Sequence, residues 1–173
     1  IVQCIQNSYS SKVNEQDLDL FVSYSSKDRP EVLELVEALS AHGYNLWVDQ
    51  GGIRGASRWS EQIVNAIESA PAFLLIGSNN SFASHNVIKE TSLASERCKH
   101  ILPVMIEEAE IPKTLQYQLA GIQHMEYCPQ NHEAGMHRIV EVLVKLGVMP
   151  SKQEERQFSL LNCVAYSLRG CPS

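Results

Sequence analysis

Apolar positions along this chain recur with two periods that take turns. Leu18-Asp19-Leu20-Phe21-Val22-Ser23, Tyr44–Val48 and Ala72–Ile76 are short apolar runs bounded by turn residues, the pattern of buried strands. His100–Ile106 is a fourth, and its Pro103 points to an edge-like or bulged position. Gly121–Tyr127 alternates as a fifth, edge strand. Between them the spacing turns helical. Val32, Leu35, Val36 and Leu39 form one stripe, opened by Asp28-Arg29-Pro30 and ended by Gly43. Trp59, Ile63, Ala66 and Ile67 form the next. A polar loop after the third strand leads to a helix from about Ser84 to Cys98. Residues 107–118 read as a loop with one helical turn. Met136, Ile139, Val140 and Leu143 stripe a last helix ending at Gly147.

Strands alternating with helices predict an α/β domain with a parallel sheet covered on both faces. Five such units most often take the order 2-1-3-4-5, with a ligand crevice between the ends of strands one and three. That rule singles out two loops, 23–27 and 77–84. It also singles out Glu90, the one acid between Glu68 and Glu96, just beyond the third strand. The domain is expected over residues 17–148. Residues 1–16 then form an N-terminal extension, and 149–173 a C-terminal one with a short amphipathic stripe of Phe158, Leu161, Ala165 and Leu168.

Composition narrows the function classes. The 173 residues suit one domain with extensions, and a net charge of -6 without a basic run argues against nucleic acid as a partner. Five widely spaced cysteines without C-x-x-C argue against a disulfide framework or zinc site and for a reducing cytoplasm. No apolar stretch nears the ~20 residues that span a bilayer, so no membrane partner is expected. The chain opens on Ile1 rather than Met, which reads as a piece of a longer protein.

Several chemistries fail on the residues. A phosphoacceptor receiver needs acids where this chain has Ser23-Tyr24 and Gly77-Ser78. Ser23-Tyr24-Ser25-Ser26 is hydroxyl-rich but lacks the glycine of a flavin-phosphate cradle. No G-x-G-x-x-G, P-loop or G-x-S-x-G is present. Hydroxyls, aromatics and one carboxylate remain. Cleavage of an N-glycosidic bond fits that set, because a fixed carboxylate stabilises an oxocarbenium-like transition state. A good leaving group needs no general acid, as with nicotinamide, which departs neutral from a cationic ring. Tyr24 or Trp47 offers a face on which such a ring can stack.

Certain boxes, in order and spacing, bring the chain to a known family. They are Phe21-Val22-Ser23-Tyr24-Ser25 with Lys27-Asp28, Leu46-Trp47-Val48-Asp49 with Ile53, Trp59…Ile63…Ala66-Ile67, Ser81…Ser84-x-x-Val87-x-x-Glu90, and Ile101-Leu102-Pro103-Val104. The chain resembles the Toll/interleukin-1 receptor (TIR) domain, its bacterial branch in particular, from about Asp17 to Val148. The resemblance implies a flavodoxin-like three-layer sandwich. It implies one of two functions: an NAD+ nucleosidase, often in bacterial defence, or a non-catalytic module for homotypic assembly. In the enzymes NAD+ is the substrate and no further cofactor or metal is needed. Self-association of TIR domains completes the site, and the BB loop contributes to it.

Carried onto this chain, the resemblance makes Glu90 the catalytic residue, orienting the nicotinamide ribose. Ser23, Tyr24, Ser25, Trp47, Asp49, Ile53, Arg54 and Ser84 are the substrate-binding candidates. Five of them have a plainer reading. Asp49 caps a strand end, Trp47 and Tyr24 pack in the core, Ser84 is a helix N-cap, and Arg54 is a loop cation. Three positions depart from the family pattern. Asn86 stands where bacterial members often carry Trp, Ala56 where the BB loop has glycine, and Ser25 where some carry Arg.

Overall fold

The computed structural model describes residues 18–48, 56–128 and 132–151, with the backbone alone at 56–59. Expectations placed on 1–17, 49–55 and the tail beyond Ser151 lie outside the described residues. So does the side chain of Trp59.

Five parallel strands form one sheet in the order β2-β1-β3-β4-β5, as the alternation of elements predicts. They are β1 (Leu20–Ser23), β2 (Leu46–Val48), β3 (Ala72–Gly77), β4 (His100–Met105) and β5 (Met125–Glu126). The helices are α1 (Arg29–Ala41), α2 (Ala56–Ser69), α3 (Asn79–Phe82), α4 (His85–Glu96), α5 (Lys113–Gln116) and α6 (His132–Lys145). All six residues of β3 are buried, which is why this run is apolar without alternation.

Side chains alternate across the sheet and so feed two cores. Leu20, Val22, Leu74, Ile76, Leu102 and Val104 meet α1 and α6 through Val32, Leu35, Leu39, Met136, Ile139 and Leu143. Phe21, Phe73, Leu75, Ile101 and Met105 meet α2, α4 and α5 through Ala66, Ile67, Val87, Ala94 and Leu115. The result is a flavodoxin-like α/β sandwich of three layers. Each fully buried Leu, Ile or Phe contributes roughly 1.5–3 kcal/mol relative to exposure. A one-residue slip of β1 would exchange the two sets, so its register is strongly held.

Three expectations change in detail. The loop after β3 contains a helical turn, α3, because the Ser78 hydroxyl accepts from the Ser81 amide at 2.9 Å and caps it. The fifth strand is shorter than expected: Gly121 sits at φ 77 in a turn, and pairing with β4 begins only at Met125. Pro103 lies in an inner strand without a bulge, paired with Leu75. The Met105 carbonyl accepts from Tyr127, so alternate residues of β4, Pro103 among them, turn their backbone toward β5. No strand reaches that level, and the missing N–H of Pro103 costs no ladder bond. One carboxylate at the start of β1 joins three segments. Asp19 Oδ2 accepts from the amide and hydroxyl of Ser151 at 3.0 and 2.9 Å, and from the Asn45 amide at 2.7 Å.

Candidate active site

Helix α4 buries Val87, Glu90, Thr91 and Ala94, the i, i+3, i+4, i+7 stripe of an inward face. Glu90 therefore occupies a position that an apolar residue would ordinarily fill. It is 7% exposed. A carboxylate so placed is costly unless hydrogen-bonded. Ser23, the last residue of β1 and 1% exposed, supplies the bond: its hydroxyl donates to Glu90 Oε2 at 2.6 Å. Ser23 shares its sheet face with Phe21, two residues earlier, so strand alternation places it on the face that α4 covers. The pair sits at the C-terminal edge of the sheet, the level at which open α/β sheets bind ligands.

The same edge holds a second buried carboxylate. Asp28 stands at the N-cap position of α1 but makes no side-chain capping bond to that helix. It turns instead toward the loop after β3. Its Oδ2 accepts from the hydroxyls of Ser78 and Ser81 at 2.5 and 3.1 Å, and its Oδ1 accepts from Asn80 Nδ2 at 2.6 Å. The Ser25 amide donates to Ser81 Oγ at 3.0 Å. The two loops named by the crevice rule are thus bonded to each other. On the far side, Glu107 accepts from the backbone amide and side chain of Asn79 at 2.7 and 3.1 Å.

Below Ser23 three rings stack in one row across β2, β1 and β3. Trp47 lies 4.6 Å from Phe21 at 11°, and Phe21 lies 5.3 Å from Phe73 at 6°. The register explains it, since Phe21 is paired with both Trp47 and Phe73. Trp47 is half-buried, on the face that carries Glu90. Tyr24 is buried in the other core, among the residues under α1 and α6, which is the packing reading of this residue.

The remaining candidates divide. Ser25 is buried, and its hydroxyl accepts from the Lys27 amide at 3.4 Å, capping a 3-10 turn over Ser26–Asp28. Ser84 stands at the N-cap position of α4, as its plainer reading has it, though its side chain makes no capping bond. His85 and Asn86 are exposed in the first turn of α4. Asp49, Ile53 and Arg54 lie outside the described residues. Among the described residues no group of three or more His, Cys, Asp or Glu side chains could hold a metal ion. Among them, too, no helix is long and apolar enough to cross a membrane.

A family model described as the TIR domain matches residues 20–140, well over half of the chain. The chain belongs to the TIR-domain family. This TIR domain is 29% identical over 79 residues to a probable 2' cyclic ADP-D-ribose synthase, TcpO, of Methanobrevibacter olleyae. That match takes in 45% of this chain and spans 23% of the relative's length. Among solved structures, the TIR domain of the Toll-related receptor TRR-2 from Hydra magnipapillata superposes with a TM-score of 0.61 at 19% identity, over 74% of this chain and 98% of that one. The CMP N-glycosidase BcmB of Clostridium botulinum gives 0.52 at 12% identity, over 70% and 97%. A TIR-STING receptor from C. gigas, solved with 2',3'-cGAMP, gives 0.56 at 16% identity, over 74% and 41%. These three share the fold.

Within this TIR domain the crevice rule and the sequence resemblance both led to Glu90. Its partner Ser23 was a named candidate, although nothing in the spacing revealed that the two side chains meet. Nothing in the spacing shows that Asp28 meets the loop after β3, because an acid before Arg-Pro reads as a helix cap or a first-turn acid. The available signal was the cluster Ser78, Asn80 and Ser81, three donors lying past a buried strand without an acid of their own nearby.

Proposed function

We propose that this TIR domain cleaves the bond between nicotinamide and ribose in NAD+. The observation that carries the reading is Glu90. It is a buried carboxylate on the inward face of α4, hydrogen-bonded by Ser23 at the C-terminal edge of β1. Such a group stabilises positive charge developing on a ribose ring. The C–N bond breaks with its electron pair going to the pyridinium nitrogen, so nicotinamide departs neutral. Water then attacks the anomeric carbon to give ADP-ribose, or a ribose hydroxyl attacks to give a cyclic form. The name of the Methanobrevibacter relative supports the cyclic outcome. Half-buried Trp47 supplies an aromatic wall on the same face. Assembly of several copies is part of the reading, so activity rises with protein concentration.

The test is nicotinamide release from NAD+ by concentrated protein, with both ADP-ribose products resolved, for wild type, Glu90→Gln and Glu90→Ala. Both variants should lose about 10²-fold or more in kcat. CMP is assayed alongside, because a CMP N-glycosidase shares the fold. Full activity in either variant removes Glu90 from the chemistry. Homotypic association without any cleavage, at every concentration tried, favours a non-catalytic assembly module.

A further inference from the structure

Asp28 is buried and unused by the chemistry above. Its hydrogen bonds can be counted. The Ser78 hydroxyl has one proton, given to Asp28, while its oxygen accepts from the Ser81 amide. The Ser81 hydroxyl likewise gives its proton to Asp28, while its oxygen accepts from the Ser25 amide. Asn80 gives an amide proton to the other carboxylate oxygen. Three donors therefore converge on one acceptor-only group. No neutral side chain of that size accepts on both of its ends. The acceptance by Ser81 of the Ser25 amide depends on the Ser81 hydroxyl pointing at Asp28. Ser25 is two residues beyond Ser23, the donor to Glu90. Asp28 is thus joined through Ser81 to the Ser25 amide, two residues beyond the end of β1.

We propose that Asp28 is a positioning residue. It fixes the loop after β1 against α3 and so holds the Ser23 hydroxyl on the Glu90 carboxylate. This rests on the NAD+-cleaving reading for its kinetic consequence, though not for its structural one. The exposed Glu107–Asn79 contact on the other side of α3 is open to solvent and salt. The buried clamp is the one that sets the geometry.

The experiment is a double-mutant cycle between Asp28→Asn and Ser23→Ala, read in kcat and KM, with amide exchange at Ser25 followed in parallel. Asp28→Asn keeps the shape but turns an NH₂ toward donors. With Ser23 present it should lower kcat about tenfold and move KM less, whereas in the Ser23→Ala background it should cost less than about twofold. The Ser25 amide should exchange at least about tenfold faster, with the Leu74 amide unchanged. Equal kcat losses in both backgrounds, or an unchanged kcat with Ser23 present, overturn the proposal. Should Asp28→Asn fail to fold, Asn80→Ala removes a single donor and should show the same pattern with a loss of about threefold. Should the wild type release no nicotinamide, the catalytic reading falls. The clamp is then judged by exchange alone: faster Ser25 exchange supports it, and unchanged exchange refutes it.

Discussion

Ser23 and Glu90, 67 positions apart in the chain, meet in a buried hydrogen bond of 2.6 Å that joins the end of β1 to the middle of α4. A bond to a charged group is worth about 1.5–3 kcal/mol. Where it holds a catalytic carboxylate, that energy appears as misplacement in the transition state. Ser23→Ala should lower kcat for nicotinamide release by about 10- to 100-fold, with a smaller change in KM. Steady-state kinetics on the purified variant decide it. Wild-type turnover in Ser23→Ala would show that Glu90 holds its place without this hydroxyl.

How much of this was readable beforehand depends on which residues carry the information. The sheet was legible because β3 is apolar throughout and because Gly43 and Gly147 end their helices as left-handed stops, at φ 93 and 78. Gly121, also at positive φ, reads as part of a strand because the apolar alternation around it looks the same either way. Local pattern does not say whether a glycine ends an element or sits inside one. Glu90 was legible as a lone acid, and its stripe with Val87, Thr91 and Ala94 could have shown it facing inward. The Asp28 clamp was not legible. Its partners lie 50 to 53 residues away, and only the strand order brings them together.

At the opposite edge of β1, Asp19 is a buried carboxylate with a structural task. It accepts from Asn45 and twice from Ser151, tying the start of β1 to the start of β2 and to the segment after α6. Asp19→Ala strands two backbone amides, at about 1–3 kcal/mol for each group that stays buried and unpaired. Melting should fall by several degrees, since each kcal/mol is about 2–4 °C in a chain of this size. NAD+ cleavage well below the melting range should stay at the wild-type level, because Ser23 and Glu90 lie at the other end of the strand. A selective loss of kcat without a melting shift would contradict that division.

Two buried phenols predict a weakness at high pH. Burial, and then the charge of Asp19, raise the Tyr44 pKa above 10.0; burial, and then Glu34, raise that of Tyr127. Tyr44 donates to the Val148 carbonyl at 3.3 Å, and Tyr127 meets His132 Nδ1 at 2.5 Å. A raised folded-state pKa means that the native protein binds the proton more tightly than the unfolded chain. The resulting stability is complete below the unfolded tyrosine value of about 10 and is lost as pH rises through the folded values. Melting temperature followed from about pH 8 to about pH 11 should drop steeply in the upper part of that range. In Tyr44→Phe and Tyr127→Phe the neutral baseline is lower, since each loses a hydrogen bond, but the alkaline slope is shallower. Identical slopes in wild type and the double variant would assign the effect to other groups.

Three helices end on the same hydrogen-bond pattern, and one does so with the wrong residue. After α1 the Gly43 amide donates to Ser40 and the Tyr44 amide to Leu39; after α6 Gly147 donates to Val144 and Val148 to Leu143. After α4 the pattern repeats with Cys98 to Ser95 and Lys99 to Ala94, and Cys98 takes φ 53. This is a Schellman stop, whose left-handed residue is ordinarily glycine. A side chain there costs about 1–2 kcal/mol, while glycine costs roughly 0.5–1 kcal/mol in unfolded-state entropy. Cys98 is exposed, so its replacement gives up no packing. Cys98→Gly should therefore stabilise the domain by about 0.5–1 kcal/mol, or about 1–4 °C in melting temperature. Cys98→Ala is the control: it removes the thiol but keeps the Cβ, and should melt with the wild type. A gain in Ala equal to that in Gly would mean that the sulfur, not the backbone, is the source of the cost.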